Sequence, residues 1–154
     1  MQFTVNGQAV EASDPERNLL EFLREELDLI GAKDGCSIGI CGTCTILIDD
    51  IAIKSCIKKL KDVEGKRVTT IEGLAGKEGG LHPLQQAFMD AGAVQCGFCI
   101  PGMIMTSHAF LLKNPRPTRD AIRKAINPNL SRCTGYQQII DAVEMAAVHY
   151  PLPT

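Results

Sequence analysis

Four of the seven cysteines in this chain, Cys36, Cys41, Cys44 and Cys56, follow a C-x4-C-x2-C pattern with a distant fourth member. Four thiolates at that spacing are the ligand set of a two-iron, two-sulfide cluster, a one-electron carrier. The segment Gly35-Cys-Ser-Ile-Gly-Ile-Cys-Gly-Thr-Cys44 suits the task. An oxidised cluster held by four thiolates is a dianion and needs backbone N–H groups turned inward. Gly35, Gly39 and Gly42 can take positive φ and let the chain curl round such an anion. A structural zinc site pairs short C-x2-C knuckles, whereas the first gap here is four residues. A disulfide framework suits small secreted chains with an even cysteine count, and seven is odd. Three cysteines within nine residues of a glycine-rich loop are not packing residues.

The remaining cysteines are Cys96 and Cys99, in Cys-Gly-Phe-Cys, and Cys133, in Asn129-Leu-Ser-Arg-Cys-Thr-Gly-Tyr136. C-x2-C by itself serves metal knuckles and redox dithiols alike. A thioredoxin-like dithiol follows a βαβ pattern that the residues before Cys96 do not show. Three cysteines leave a four-ligand site one donor short, and Ser131, two residues before Cys133, is the candidate for the gap.

The elements that must hold these groups divide the chain in two. Residues 1–72 read as strands around one helix. Gln2 to Val5 and Gln8 to Glu11 alternate about Asn6-Gly7, a type I′ hairpin signal. Asn18 is placed to cap a helix running to about Leu27, with Leu19, Leu20, Phe22, Leu23 and Leu27 at helical period. Thr45 to Ile48 and Ile51 to Ile53 form strands about an Asp49-Asp50 turn, and Val68 to Ile71 closes the set. Four or five strands crossed by one helix predict a β-grasp, ferredoxin-like fold. Residues 73–80 are glycine-rich and read as a linker. Residues 81–154 read as four helices: His82 to Ala91, Pro101 to about Lys113, one capped by Thr118 and ending at Asn127-Pro128, and Gln137 to His149. The fold class is therefore α+β, a β-grasp domain followed by a four-helix domain. Units of this size have small cores, and cluster stapling would help each of them.

Composition excludes several roles. At 154 residues and a net charge of −2, nothing favours nucleic acid. No apolar run approaches the ~20 residues of a membrane span. The N-terminus carries no basic, apolar or twin-arginine export signal, and free thiolates suit a reducing cytoplasm.

Taken together, Gly35-Cys36 through Cys44, then Cys56, then Gly92-Ala-Val-Gln-Cys-Gly-Phe-Cys-Ile-Pro-Gly102, then Asn129 through Tyr136 resemble the small iron–sulfur subunit of the molybdenum hydroxylases. This is the xanthine dehydrogenase and carbon monoxide dehydrogenase family, and the likeness spans essentially the whole chain. It implies one 2Fe–2S cluster on Cys36, Cys41, Cys44 and Cys56, and a second on Cys96, Cys99, Cys133 and the residue at 131. Cluster two would lie at helix N-termini, which favour an anion through their dipoles and free N–H groups. The resemblance further implies a large subunit carrying molybdopterin, abutted by Gln95 and Cys133, and a medium subunit carrying FAD nearer the first cluster. Substrate chemistry would then reside on a partner, and the complex would be an oxidoreductase and a hetero-oligomer.

The chain departs from the family at Ser131, where the motif is Cys-Arg-Cys. That leaves the fourth ligand open between a serine oxygen and water or hydroxide. Ile100, where threonine is usual, is not a ligand position. Several residues carry plainer expectations. His82, His108 and His149 read as helix-surface or capping residues, and Met103 and Met105 as core filler. Arg116, Arg119, Arg123 and Lys124 read as a solvated basic face, and Tyr136 as packing under the cluster loop. An exposed apolar patch is expected around Phe98, Ile100 and Met103. Two functions compete: an electron-transfer subunit passing electrons from molybdopterin through two clusters toward FAD, and a stand-alone ferredoxin-like carrier with a helical docking module. The helical half favours the first. The substrate, the final acceptor and the stoichiometry of the complex are not written in this chain.

Overall fold

The computed structural model describes residues 1–75 and 78–152. Gly76 and Lys77, in the middle of the expected linker, lie outside the described residues, as do Pro153 and Thr154.

The N-terminal half is a five-stranded mixed sheet in the order β2-β1-β5-β3-β4. β1 (Gln2–Val5) pairs antiparallel with β2 (Gln8–Glu11) from Gln2↔Glu11 to Val5↔Gln8. The two-residue turn has Asn6 at φ 51° and Gly7 at φ 81°, the left-handed pair that a type I′ hairpin requires. β3 (Thr45–Ile48) and β4 (Ile51–Lys54) repeat the device with Asp49 and Asp50. β5 (Arg67–Thr69) runs parallel to β1 and antiparallel to β3. It stops short of the expected Ile71 because Asn6 takes over its edge. The Asn6 Oδ1 accepts from the Thr70 N–H at 2.9 Å, and its Nδ2 donates to Thr70 Oγ1 at 2.9 Å. Ile71–Gly73 then form a short 3-10 turn.

α1 (Leu19–Glu25) lies across the sheet, capped by Asn18 Oδ1, which accepts from the N–H groups of Leu20 and Glu21. It ends before Leu27, since Asp28 adopts φ 55° and the N–H groups of Leu27 and Leu29 close back on the carbonyls of Phe22 and Leu23. Leu19, Leu20, Phe22 and Leu23 bury against Phe3, Val5, Ile46, Ile48 and Val68.

Four helices make the C-terminal half: α2 (Pro83–Asp90), α3 (Ile100–Lys113), α4 (Arg119–Ile126) and α5 (Gln137–Ala147). His82 caps α2 through Nδ1, and Thr118 caps α4 through Oγ1. Their core is Leu84, Phe88, Met103, Met105, Leu111, Ile122, Ile126, Ile139 and Val143, joined by Leu47 of β3. β3 is buried on both faces, which its unalternating Thr-Ile-Leu-Ile sequence anticipates. Ile46 and Ile48 serve the sheet core, while Leu47 meets the helices. The two halves are packed on each other through β3 and α3. Among the described residues no helix is long and apolar enough to cross a membrane.

Candidate metal centres

The first cysteine group closes around a loop shaped by hydrogen bonds. Asp34 holds its start, accepting from the N–H of Ser37 at 2.8 Å and from its hydroxyl at 2.6 Å. Ser37, Gly39 and Gly42 have φ of 60°, 75° and 80°, turning successive N–H groups inward. Cys36 Sγ accepts from the N–H groups of Ile40 and Cys41, each at 3.4 Å. With that of Ile38, these donors lower the Cys36 thiol to about 6. Gly35 serves differently from the expectation: it has no positive φ, but a Cβ there would lie 2.9 Å from both Cys41 Sγ and Thr43 Oγ1. Thr43, unremarked in the sequence, donates to the carbonyl of Lys33 at 2.9 Å and sits 3.1 Å from Cys41 Sγ.

Cys44 and Cys56 are buried behind this loop, Cys56 on a short 3-10 turn that follows β4. Burial, then the neighbouring Cys44 thiol, pushes Cys56 up to about 12. A thiolate there is costly unless a cation faces it, and ferric iron is such a cation. Inward N–H groups, a Cβ-free position at Gly35 and thiols neighbouring in two pairs, Cys36 with Cys41 and Cys44 with Cys56, together fit an anionic, four-thiolate group that asks two donors of each iron.

The second group gathers where α3 and α5 begin. Cys99 is the residue before the first turn of α3. Cys96 Sγ and Cys133 Sγ are 3.6 Å apart although 37 residues separate them. The N–H of Phe98, then Cys133, lowers the Cys96 thiol. Cys96 and Cys133 are exposed, as is Gln95 beside them. Ser131 Oγ pairs with Thr134 Oγ1 at 2.8 Å, and the Ser131 N–H donates to the hydroxyl of Tyr136 at 2.9 Å. Tyr136 therefore does lie beneath this loop, at φ 73°. Two exposed thiols in contact and a third at a helix start fit three donors of a second two-iron group. Among the described residues no three Cys, His, Asp or Glu side chains converge on one metal ion. A two-iron cluster asks only two protein donors of each iron.

Several expectations need correction here. Phe98 is 45 % exposed, but Ile100 and Met103 are 8 % and 0 % exposed, because the first turns of α3 feed the helical core. The exposed apolar neighbours of Cys96 and Cys133 are instead Val94, Phe98 and Leu130. His108 is half-buried rather than freely exposed; its Nδ1 meets the hydroxyl of the buried Tyr150 at 2.5 Å. The basic face is solvated as expected at Arg123 and Lys124, which stay largely exposed while pairing with Asp120, whereas Arg119 is tied to Asp141 and Glu144. Arg116 donates to three carbonyls, those of Pro115, Ala147 and Tyr150.

The two cysteine groups are joined by main chain. The Leu130 N–H donates to the carbonyl of Cys41 at 2.9 Å. Beside it, the buried Asn129 donates from Nδ2 to the carbonyl of Gly42 at 3.0 Å and accepts the Thr106 hydroxyl at 2.7 Å. Neither link had a local signal in the sequence.

Residues 3–74 match the family described as a 2Fe-2S iron-sulfur cluster binding domain, and residues 70–144 the [2Fe-2S] binding domain. The chain is 47 % identical over 144 residues to one component of the nicotinate dehydrogenase of Pseudomonas putida, covering 93 % of this chain and 91 % of that one. Quinoline 2-oxidoreductase from Pseudomonas putida 86 superposes with a TM-score of 0.88 at 42 % identity, over 96 % of this chain and 93 % of that one. The aldehyde oxidoreductase of Desulfovibrio gigas superposes with a TM-score of 0.90 at 41 % identity, over 96 % of this chain but 17 % of that longer one.

Proposed function

Because the chain belongs to the iron–sulfur subunits of the molybdenum hydroxylases, oxidoreductases in which this subunit transfers electrons, we propose that it does so with two 2Fe–2S clusters, between molybdopterin on a large partner and FAD on a medium one. Each cluster, when bound, supplies a one-electron couple. Cys36, Cys41, Cys44 and Cys56 hold the first. Cys96, Cys99 and Cys133 would hold three corners of the second, and the oxygen of Ser131 would be the fourth donor. Gln95 and Cys133, both exposed, face the large partner. Free thiolates suit a complex working in a reducing cytoplasm.

The observation that supports this reading most is the hydrogen bond from the Leu130 N–H to the carbonyl of Cys41. Leu130 adjoins Ser131, so one residue of main chain and one hydrogen bond connect a ligand of each group. A carrier using its first cluster alone has no need of that connection. Nicotinate and quinoline, in the names of two relatives, are nitrogen heteroaromatics. That ring class is the first to offer the complex, although its selection resides on another chain.

Purification of the native complex tests the proposal. Iron and acid-labile sulfide should each approach about four per chain, with two reduced electron paramagnetic resonance signals, and a large and a medium partner should co-purify. About two irons in protein made anaerobically would remove the second cluster. Absence of both partners would favour the stand-alone carrier.

A further inference from the structure

We infer that Thr134 is the positioning residue for the oxygen donor of the second cluster, its hydroxyl donating to Ser131 Oγ and thereby raising the reduction potential of that site. The inference rests on the reading of Ser131 as a ligand. Ser131 Oγ and Thr134 Oγ1 are 2.8 Å apart, so one of the two hydroxyls donates. The Tyr136 N–H donates to Thr134 Oγ1 at 3.2 Å, filling an acceptor site on that oxygen and leaving its own hydrogen available. An iron-bound serine oxygen has no hydrogen to give, so the donor in this pair is Thr134. The bond is then charge-assisted, and it withdraws negative charge from the ligand.

The donor is held rigidly. Tyr136 has the left-handed φ of 73°, a conformation that non-glycine residues rarely adopt. It precedes α5, whose Ile139 and Ile140 are buried in the helical core. Its hydroxyl accepts the Ser131 N–H while its N–H supports Thr134. The loop from 131 to 136 is thus a closed ring of hydrogen bonds with Ser131 Oγ on one side and a buried helix on the other. Donors around a metal's ligands commonly govern retention and potential.

The test uses the assembled complex and follows the second cluster's midpoint potential and its loss of iron to a chelator. Thr134→Val, which keeps shape and removes the donor, should lower the potential and speed iron loss roughly 10-fold. Thr134→Ser should restore both. In a Ser131→Ala background the Thr134→Val shift should vanish. Pulsed resonance on the unsubstituted complex should find a deuterium-exchangeable proton coupled to the reduced second cluster that is missing in Thr134→Val, which separates it from the Phe98 N–H at Cys96. An unchanged potential in Thr134→Val, a shift that persists in the Ser131→Ala background, or no exchangeable proton would each overturn the inference while leaving Ser131 a ligand. Ser131→Ala indistinguishable from the parent in iron content, spectra and potential would instead overturn the ligand reading itself.

Discussion

Gly102, in the first turn of α3, faces the carbonyl oxygen of Gly42 so closely that a Cβ on Gly102 would lie 2.2 Å from it. The helix that carries Cys99 therefore rests directly on the loop that carries Cys41 and Cys44. Both partners are main chain, so neither can give way as a side-chain tip would.

Gly102→Ala should consequently be among the most damaging single-methyl changes in the protein. Overpacking costs about 1–3 kcal/mol, and the upper end applies where the obstruction is backbone. Chemical denaturation should show this loss, and both proposed clusters should become easier to strip, since the displaced helix carries Cys99 and abuts the loop of Cys41 and Cys44. Unaltered stability would mean that the halves are free to separate at this contact.

Gly35→Ala should act on one site only. Its Cβ would meet Cys41 Sγ and Thr43 Oγ1 at 2.9 Å, inside the first loop. Iron content should fall by about half, with the second cluster's resonance signal kept. Loss of both signals would show that the loop's shape governs the whole molecule.

Ser131→Cys should raise the potential and the retention of the second cluster together. Thiolate is a softer donor than a serine oxygen, which favours the ferric state. Redox titration of the two resonance signals separates this shift from the first cluster, which should stay where it is.

Stability should depend on pH through His108. Burial, with the nearby His82 charge adding to it, lowers its imidazole to about 4, against an ordinary value near 6.5. The unfolded chain takes up this proton first as pH falls. The contribution is therefore complete above about 6.5 and lost progressively down to about 4, at no more than about 1.4 kcal/mol per pH unit. Acid loss of the clusters is common to both proteins and cancels, so the denaturation midpoints of parent and His108→Gln should converge as pH drops from 7 to 4.5, because only the parent loses the His108 contribution. A constant difference between the two proteins would mean that His108 is protonated equally in both states.

Two arginines that look alike in sequence should differ in weight. Arg116→Ala leaves the carbonyls of Ala147 and Tyr150 without their cationic donor, a loss of about 1.5–3 kcal/mol. Arg123→Ala removes only a 3.7 Å exposed pair with Asp120 and should cost less than about 0.5 kcal/mol. Thermal denaturation of the two variants orders them directly.

Much of this protein is determined locally, and that part was legible. The I′ turn at Asn6-Gly7, the turn at Asp49-Asp50, the caps at Asn18 and Thr118, and the cysteine spacings each depend on residues a few positions apart. A neighbour's side chain or φ is enough to produce them, so the order of strands and helices could be read from the sequence. Even there, the ends shifted where distant partners intervened, as Asn6 does at Thr70. What only the tertiary structure decided are relationships across long stretches of chain. Asn129 reaches Gly42 over 87 residues, Leu130 meets Cys41, and Gly102 abuts Gly42. The burial of Ile100 and Met103 beside an exposed Phe98 is of the same kind. Helical period indicates that an apolar stripe exists, but which residues at a helix start are covered depends on where the second domain lands. That landing is set by close packing over the whole interface, and no local window of sequence contains it.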